Sequence, residues 1–204
     1  MSRILACIAV AISTALAALP TLGCASFAGR ELPERNIAGL TKHGLDIDYE
    51  TEWLTFGRPN PNARDLLSRS VRSVLEESGI FSGVTQGKGD APHHFHFTIK
   101  NEGNLGLATF LGFISGLSLT IIPAYARDDY ILTVDISSAG QPVKRYEYKD
   151  HLSTWIQLFL VVAMAGHDAA AVGDDVRSNM LRNFLHDLDR DLSSGELPIA
   201  PPPQ

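Results

Sequence analysis

The run LDIDYETEW at residues 45–53 decides the fold, because apolar and acidic side chains alternate along it. Leu45, Ile47, Tyr49 and Trp53 lie on one side of an extended chain, and the acidic residues lie on the other. A period of two residues is typical of a strand that is buried on one face and solvated on the other. The run therefore predicts a half-buried strand.

A helix is predicted directly after this strand. Asn60 is a residue type that caps helix N-termini, and Pro61 suits the first helical position, where its missing N–H would have no partner. Gly79 supplies the stop. The apolar positions on one face of this helix are Leu66, Leu67, Val71, Val74 and Leu75.

Further strands are predicted at residues 80–86 and 94–101, separated by a turn-rich segment. A hairpin follows, with arms at residues 130–136 and 143–150 and a turn from Ala139 to Pro142. The element order predicts an α+β fold, with a mixed or antiparallel sheet of about four to five strands and two amphipathic helices on one face, plus two apolar segments.

The second amphipathic helix is the strongest in the chain, with Asp168 as its expected N-cap. Its apolar positions recur at steps of three and four. They are Val172, Val176, Met180, Leu181, Phe184, Leu185, Leu188 and Leu192. The acidic residues of this helix are expected to form its solvated face. They are Asp174, Asp175, Asp187, Asp189 and Asp191.

The first 23 residues have the layout of a secretory signal peptide, with Arg3 near the start and an uncharged, largely aliphatic run up to Leu19. The segment Thr21-Leu22-Gly23-Cys24 resembles the lipobox of bacterial lipoproteins, although Thr21 stands where the family usually has leucine. The resemblance implies that Cys24 carries the lipid, palmitate included, and becomes the mature N-terminus. Ala25 is not the aspartate of inner-membrane retention, so the resemblance implies an outer-membrane protein facing the periplasm.

Composition fits one exported domain. The chain has two cysteines, and Cys7 leaves with the leader, so the mature domain would hold no free thiol. Loss of Arg3 changes the net charge from −6 to −7, which argues against nucleic acid as a partner. The predicted organisation is a signal peptide at 1–23, a tether at 24–44, one domain at 45–195 and a disordered Pro-rich tail at 196–204.

Two uncharged apolar segments, residues 104–126 and 152–166, flank the hairpin. Three interpretations stay open: both are buried against the sheet, both dip into the membrane beside the lipid anchor, or they span the membrane or join copies of the chain. The aromatic residues around them suit either a sheet core or a membrane interface. They are Tyr125, Tyr130, Tyr146, Tyr148 and Trp155.

The centre of the chain carries the pattern GLSLTIIP at 116–123, YIL at 130–132, YEYKD at 146–150 and Trp155. This pattern resembles small uncharacterised envelope lipoproteins of Gram-negative bacteria. The likeness covers about the central third of the chain, and its motifs are structural rather than catalytic.

One cluster has the character of a metal site. His94 and His96 lie two apart on a predicted strand and so face the same side, with His93 beside them. A third ligand would have to come from elsewhere, from His151, His167 or Asp168. The simpler interpretation is a solvated strand face, and the sequence predicts no metal, no cofactor and no catalytic residue.

The sequence therefore predicts a non-enzymatic envelope lipoprotein that binds an envelope protein or assists surface assembly or maintenance. The first alternative is a membrane-inserting or oligomeric component that uses residues 104–126 and 152–166. The second alternative is a metal-dependent periplasmic enzyme that uses the histidine cluster.

Overall fold

The computed structural model describes residues 24–103, 105–117, 123–156 and 168–197. The predicted signal peptide, residues 104, 118–122 and 157–166 of the two apolar segments, His167 and residues 198–204 of the predicted tail lie outside these ranges.

The described ranges form seven strands and three helices. The strands are β1 (Cys24–Ala28), β2 (Leu45–Thr55), β3 (Arg58–Pro59), β4 (Phe81–Gln86), β5 (His93–Gly103), β6 (Ala124–Ser138) and β7 (Gln141–Ile156). The helices are α1 (Pro61–Ser78), α2 (Leu105–Leu117) and α3 (Ala169–Ser194). The α+β class is confirmed, with more strands than the four to five that the sequence predicts.

All seven strands belong to one mixed sheet. Its order is β1-β7-β6-β5-β2-β3, and β4 also pairs with β2. The pairs of β2 with β4 and with β5 are parallel, whereas β5, β6, β7 and β1 pair in antiparallel fashion. The long β6–β7 hairpin and β5 therefore form the centre of the sheet.

Both predicted helix starts are confirmed. The side chain of Asn60 accepts a hydrogen bond from the N–H of Ala63 at 3.2 Å, and that of Asp168 accepts one from Ala171 at 3.1 Å. The helix α1 ends at Gly79, whose φ of 68° lies in the left-handed region that glycine adopts without a steric penalty. These helix ends are set by capping residues at the ends themselves, so the sequence alone could identify them.

The helices α1 and α3 cover one face of the sheet, as predicted, and bury a core rich in aromatic rings. Phe184 of α3 is fully buried, and its ring meets those of Phe95, Phe97 and Tyr146 at centroid distances between 5.4 and 6.2 Å. Leu67 and Val71 of α1 complete this layer. The alternation predicted for β2 and β5 thus directs their apolar sides to α1 and α3.

Carboxylates of α3 accept hydrogen bonds from side chains of the sheet. Asp191, predicted to be solvated, is 1% exposed and accepts hydrogen bonds from Lys144 and Tyr146, both at 2.6 Å. Burial alone raises the pKa of Asp191, but these two donors hold it below its usual value. Burial, together with the adjacent Asp191, raises the pKa of Tyr146. The prediction of an entirely solvated acidic face was wrong at Asp191.

The hairpin turns more tightly than the predicted four-residue segment. Only Ala139 and Gly140 lie outside the strands, and both have positive φ, at 49° and 76°. Two such residues form the turn whose twist matches that of a hairpin. Gln141 and Pro142 therefore already belong to β7, beside an irregularity in the register at Ser137.

The segment predicted as a tether is packed against the domain instead. Cys24–Ala28 is β1, an edge strand whose Ala25 is fully buried. Farther along, the N–H of Arg35 donates to Asn179 of α3 at 3.3 Å. These contacts join residues more than a hundred positions apart, and no local period signals them. At the other end, Leu197 in the predicted tail is 3% exposed.

The described parts of the two apolar segments belong to different secondary-structure elements. The first contains α2 and the start of β6, and the second contains the last residues of β7, 152–156. In the described ranges, no helix combines the length and the hydropathy that a membrane crossing needs.

Candidate functional site

The face of the sheet opposite α1 and α3 is called the open face below. It carries the even-numbered residues of β2 and β5 and the odd-numbered residues of β6 and β7. Most of its side chains are polar and half-buried, as expected where a flat sheet meets solvent on one side.

The middle of the open face is neutralised by pairs of opposite charge, one between neighbouring strands and two within a single strand. Arg145 of β7 donates two hydrogen bonds to Asp135 of β6, and Arg127 pairs with Asp129 at 2.7 Å. Lys149 lies 3.0 Å from Glu147. These pairs leave two regions of the open face that differ from the rest, one at each end.

The first region lies at the end of the sheet where β1 begins. Cys24 pairs with Ile156, and Ile156 pairs with Ala124, so the start of β1, the end of β7 and the start of β6 lie side by side. Gly103, two positions before the first residue of α2, pairs with Asp128 a few residues along β6. The helix α2 therefore also starts towards this end of the sheet.

Aromatic side chains gather on the open face at this end. Trp155 is 40% exposed and Phe27 is 41% exposed, while the ring centroids of Tyr125 and Trp155 lie 4.8 Å apart with the ring planes inclined at 55°. In contrast, Tyr130, Tyr146 and Tyr148 are buried on the helix side, and burial raises the pKa of Tyr130 to about 12. The aromatic residues around the apolar segments thus divide between a core and an exposed group.

The helix α2 adds further apolar surface. Its sequence contains no charged residue, and Phe110, Phe113 and Leu117 are each exposed by 60% or more. Spacings of three and four align these three residues along one side of a helix. Large exposed apolar patches of this kind are typical of surfaces that contact lipid or another protein. This group, with Phe27, Tyr125 and Trp155, is called the aromatic end.

The second region is the histidine end, formed by β2 and β5 at the opposite end of the open face. His94 and His96 both lie on the open face, as predicted. His93 points to the helix side, is 3% exposed and contacts the hydroxyl of Ser138 at 3.1 Å. The structure therefore separates His93 from the other two imidazoles.

Carboxylates of β2 lie beside these imidazoles. The parallel register sets Glu50 opposite His96 and Asp48 opposite His94. Oε2 of Glu50 lies 3.6 Å from Nε2 of His94 and 4.0 Å from Nδ1 of His96. The other ring nitrogen of His96, Nε2, lies 3.8 Å from Oε2 of Glu52. Two imidazoles and a carboxylate thus converge on one point.

The third ligands suggested by the sequence lie elsewhere. His151 pairs with Asp129, eight residues along β6 from the Ser137 that pairs with His94, which amounts to about 26 Å. His151 contacts Glu31 at 2.8 Å instead. Asp168 caps α3, and His167 is outside the described residues. The carboxylate beside the imidazoles is Glu50, which sequence reasoning missed.

The sequence contains a pattern that points to Glu50 as a ligand, but the pattern can be interpreted only when the order of the strands in the sheet is known. The acidic alternation of β2 and the histidine alternation of β5 are each visible on their own. That the two polar faces are neighbours follows only from the parallel pairing of β2 with β5, which are separated along the chain by α1 and β4.

A groove of about 640 Å³ lies between the segment after β1 and α3. Its lining mixes basic and acidic residues, among them Arg35, Arg182 and Asp175. None of the described residues that line it is a serine, cysteine or histidine. The described lining groups that could act as a general base are its acidic residues, Glu34, Glu77, Asp150 and Asp175.

No family model matches the sequence, and no curated protein is similar to it in sequence. Solved structures with a similar path of the chain include a minor lipoprotein from Acinetobacter baumannii, with a TM-score of 0.42 and 12% identity over 79% of this chain and 100% of that one. Another is the rare lipoprotein B from Shewanella oneidensis, with a TM-score of 0.43 and 10% identity over 73% and 98% of the two chains.

A third similar structure is the PelC dodecamer from Paraburkholderia phytofirmans, with a TM-score of 0.38 and 8% identity over 78% of this chain and 95% of that one. At these values the similarity concerns the path of the chain alone, and no function follows from it.

Proposed function

We propose that this chain is a non-enzymatic lipoprotein of the bacterial cell envelope, anchored through Cys24, whose aromatic end rests against the bilayer while its acidic domain binds a partner protein in surface assembly or maintenance. The observation that supports the proposal is the pairing of Cys24 with Ile156 and of Ile156 with Ala124, which brings Cys24 to the aromatic end.

The position of Cys24 at the first residue of β1 has a direct consequence for the anchored protein. A flexible tether would let the domain move freely above the membrane, whereas here a strand of the sheet begins at Cys24 itself. A lipid on Cys24 would therefore hold this end of the sheet at the level of the headgroups.

The side chains at that level suit the interface. Tryptophan and tyrosine favour the boundary between headgroups and acyl chains, because one part of the ring system is apolar and another forms hydrogen bonds. Trp155 and Tyr125 would meet this boundary from the sheet, and Phe110 and Phe113 from α2. Added apolar contact of this kind strengthens attachment by a lipid anchor.

The remaining parts of the proposal rest on sequence and chemistry. Ala25 after Cys24 favours the outer membrane, facing the periplasm. The excess of acidic residues disfavours nucleic acid and leaves an envelope protein as the expected partner. The non-enzymatic role rests on the sequence, which carries no recognisable catalytic or cofactor motif.

The alternative is a component whose apolar segments insert into the bilayer or join copies of the chain. The exposed stripe of α2 favours it, since such a stripe could equally face acyl chains or another protein. The 13 residues of α2 extend about 20 Å, which is shorter than the hydrocarbon core. The experiments below separate contact at the interface from insertion.

The anchor is tested by metabolic labelling with radioactive palmitate. The wild-type chain and a Cys7→Ser variant are expected to incorporate label in the membrane fraction, whereas Cys24→Ser incorporates none. Cys7→Ser is the matched control because Cys7 is the only other thiol of the chain. Label that persists in Cys24→Ser would overturn the anchor.

The orientation is tested with the two tryptophans of the chain as internal probes. The lipidated protein is reconstituted in vesicles whose lipids carry bromine on the acyl chains near the headgroup, which quenches tryptophan emission on contact. Trp53→Phe isolates Trp155 at the aromatic end. Trp155→Phe isolates Trp53, which is buried seven residues farther along the sheet, or about 23 Å away.

Strong quenching of Trp155 with little quenching of Trp53 is the expected result. If neither residue is quenched, the domain stands away from the bilayer and its proposed orientation is wrong. If quenching of both increases when bromine is moved deeper along the acyl chain, the inserted alternative replaces the proposal.

A further inference from the structure

We infer that Glu50, His94 and His96 bind a zinc ion on the open face, at the end of the sheet farthest from Cys24. Each of the three offers one ligand atom, and these atoms all lie within 4.8 Å of one another. The inference is independent of the membrane anchor and departs from the sequence prediction that no metal is bound.

The distances fit a small cation. Bonds of about 2.0 to 2.1 Å in a tetrahedral zinc site set neighbouring ligand atoms about 3.4 Å apart. Oε2 of Glu50 lies 3.6 and 4.0 Å from the facing nitrogens of His94 and His96. Small rotations of three half-exposed side chains close this difference, and no movement of the backbone is needed.

The strands supply the ligands on a rigid base. His94 and His96 are two residues apart and therefore share a face, while the neighbouring strand lies about 4.8 Å away in the sheet. The register sets Glu50 directly opposite His96 and one pleat from His94. Ligands on paired strands keep their spacing better than ligands on loops.

Glu52 adds the outer contact that zinc-binding histidines usually have. When Nδ1 of His96 binds a metal, its Nε2 carries the proton and needs an acceptor. Oε2 of Glu52 lies 3.8 Å from this Nε2. A carboxylate behind the imidazole fixes the ring orientation and raises its basicity, so that the cluster contains both a ligand set and a supporting group.

The carboxylates of the histidine end differ from those in the middle of the open face, where Asp129, Asp135 and Glu147 lie against arginine or lysine. Among the described residues, the ion-pair contacts of Glu50 and Glu52 are with His94 and His96 alone. A divalent cation bound between the imidazoles would therefore lie beside two carboxylates that have no arginine or lysine partner in the described ranges.

Space for water or an exogenous ligand is present beside the cluster. A cleft of about 320 Å³ is lined by Glu50 and His94, and one of about 530 Å³ by Glu50, Glu52 and His96. Glu50 lies between the two clefts. Three protein ligands and this access leave at least one coordination position for solvent.

The experiment is a zinc titration of the full-length protein in detergent, prepared with a chelator and without a histidine tag. Isothermal titration calorimetry is expected to give one zinc ion per chain. His94→Ala, His96→Ala and Glu50→Gln should each weaken binding at least tenfold, and Glu52→Gln about tenfold, as is common for groups that support a ligand. The His94→Ala, His96→Ala double variant should show no saturable binding.

His151→Gln is the matched control, because His151 also lies against a glutamate, Glu31, but has no second imidazole in its described surroundings. Its affinity for zinc should equal that of the wild type. Circular dichroism shows whether each variant is folded, and zinc should raise the melting temperature of the wild type and the control but not of the double variant.

Cobalt gives an independent spectroscopic test, since four-coordinate Co²⁺ absorbs strongly in the visible range. Such a spectrum is expected for the wild type and should be lost in the double variant. The absence of saturable zinc binding by the wild type would overturn the inference. Zinc binding of equal strength in the wild type and the folded double variant would also overturn it.

Discussion

The two faces of the sheet differ in their contribution to the stability of the protein. The face under α1 and α3 buries aromatic rings and the carboxylate of Asp191 with matched donors, so each substitution there leaves a cavity or an unpaired polar group. The open face carries half-exposed polar side chains that water can replace as partners. Stability therefore depends mainly on the covered face, and the open face can hold binding groups at little cost to folding.

The largest effect is expected at the centre of the covered face. Phe184→Ala removes a fully buried ring that contacts Phe95, Phe97 and Tyr146, and should lower the free energy of unfolding by about 3 to 5 kcal/mol. Urea denaturation measures it. Leu66→Ala on the exposed side of α1 is the control and should stay within about 0.5 kcal/mol. Equal losses for both would contradict the contrast between the faces.

The second effect concerns the polar contact between α3 and β7. Asp191→Ala leaves the Lys144 ammonium and the Tyr146 hydroxyl without their acceptor and should cost about 2 to 3 kcal/mol. Asp175→Ala, an exposed position of the same helix, should change stability by less than about 0.5 kcal/mol. The same denaturation assay compares the two, and equal values would mean that Asp191 contributes no more than a surface residue.

A dependence on acid follows from the same carboxylate. Its pKa is lower in the folded protein than in the unfolded chain, so the folded state holds fewer protons at this group. Its contribution is present above the unfolded value of about 3.9 and is lost as the pH falls through the lower folded pKa. Asp191→Asn should therefore flatten the loss of stability below about pH 4, as followed by urea denaturation across pH.

The smallest effect on stability is expected on the open face. In the presence of a chelator, the His94→Ala, His96→Ala double variant should differ from the wild type by less than about 0.5 kcal/mol, because both imidazoles are half-exposed and water replaces their contacts. A loss of several kcal/mol in urea denaturation would mean that these residues serve the fold rather than a ligand.

The sequence predicted those features that depend on neighbours along the chain. The alternation of β2 and β5, the caps at Asn60 and Asp168 and the stop at Gly79 are each fixed by a few consecutive residues. The α+β class and the covering of one sheet face by two helices followed from the same periods. These signals are local because backbone conformation and amphipathic spacing act over one or two turns of chain.

Features that depend on distant neighbours were missed or incomplete. Residues 24–44 show no period, and their order comes from pairing with β7 and from side chains of α3 such as Asn179. The burial of Asp191 likewise depends on Lys144 and Tyr146 of another element. The pattern of residues within one segment does not predict which polar group of another segment will lie against it in the core.

The two ends of the open face show the same division. By itself, the sequence determined that Cys24 follows an apolar run typical of a leader, that His94 and His96 share a strand face and that the central segments are apolar. Only the tertiary structure decided that Glu50 lies beside both imidazoles and that Cys24, Trp155 and α2 meet at one end. The reason is that strand order and register are set by the packing of the whole core, which no single segment encodes.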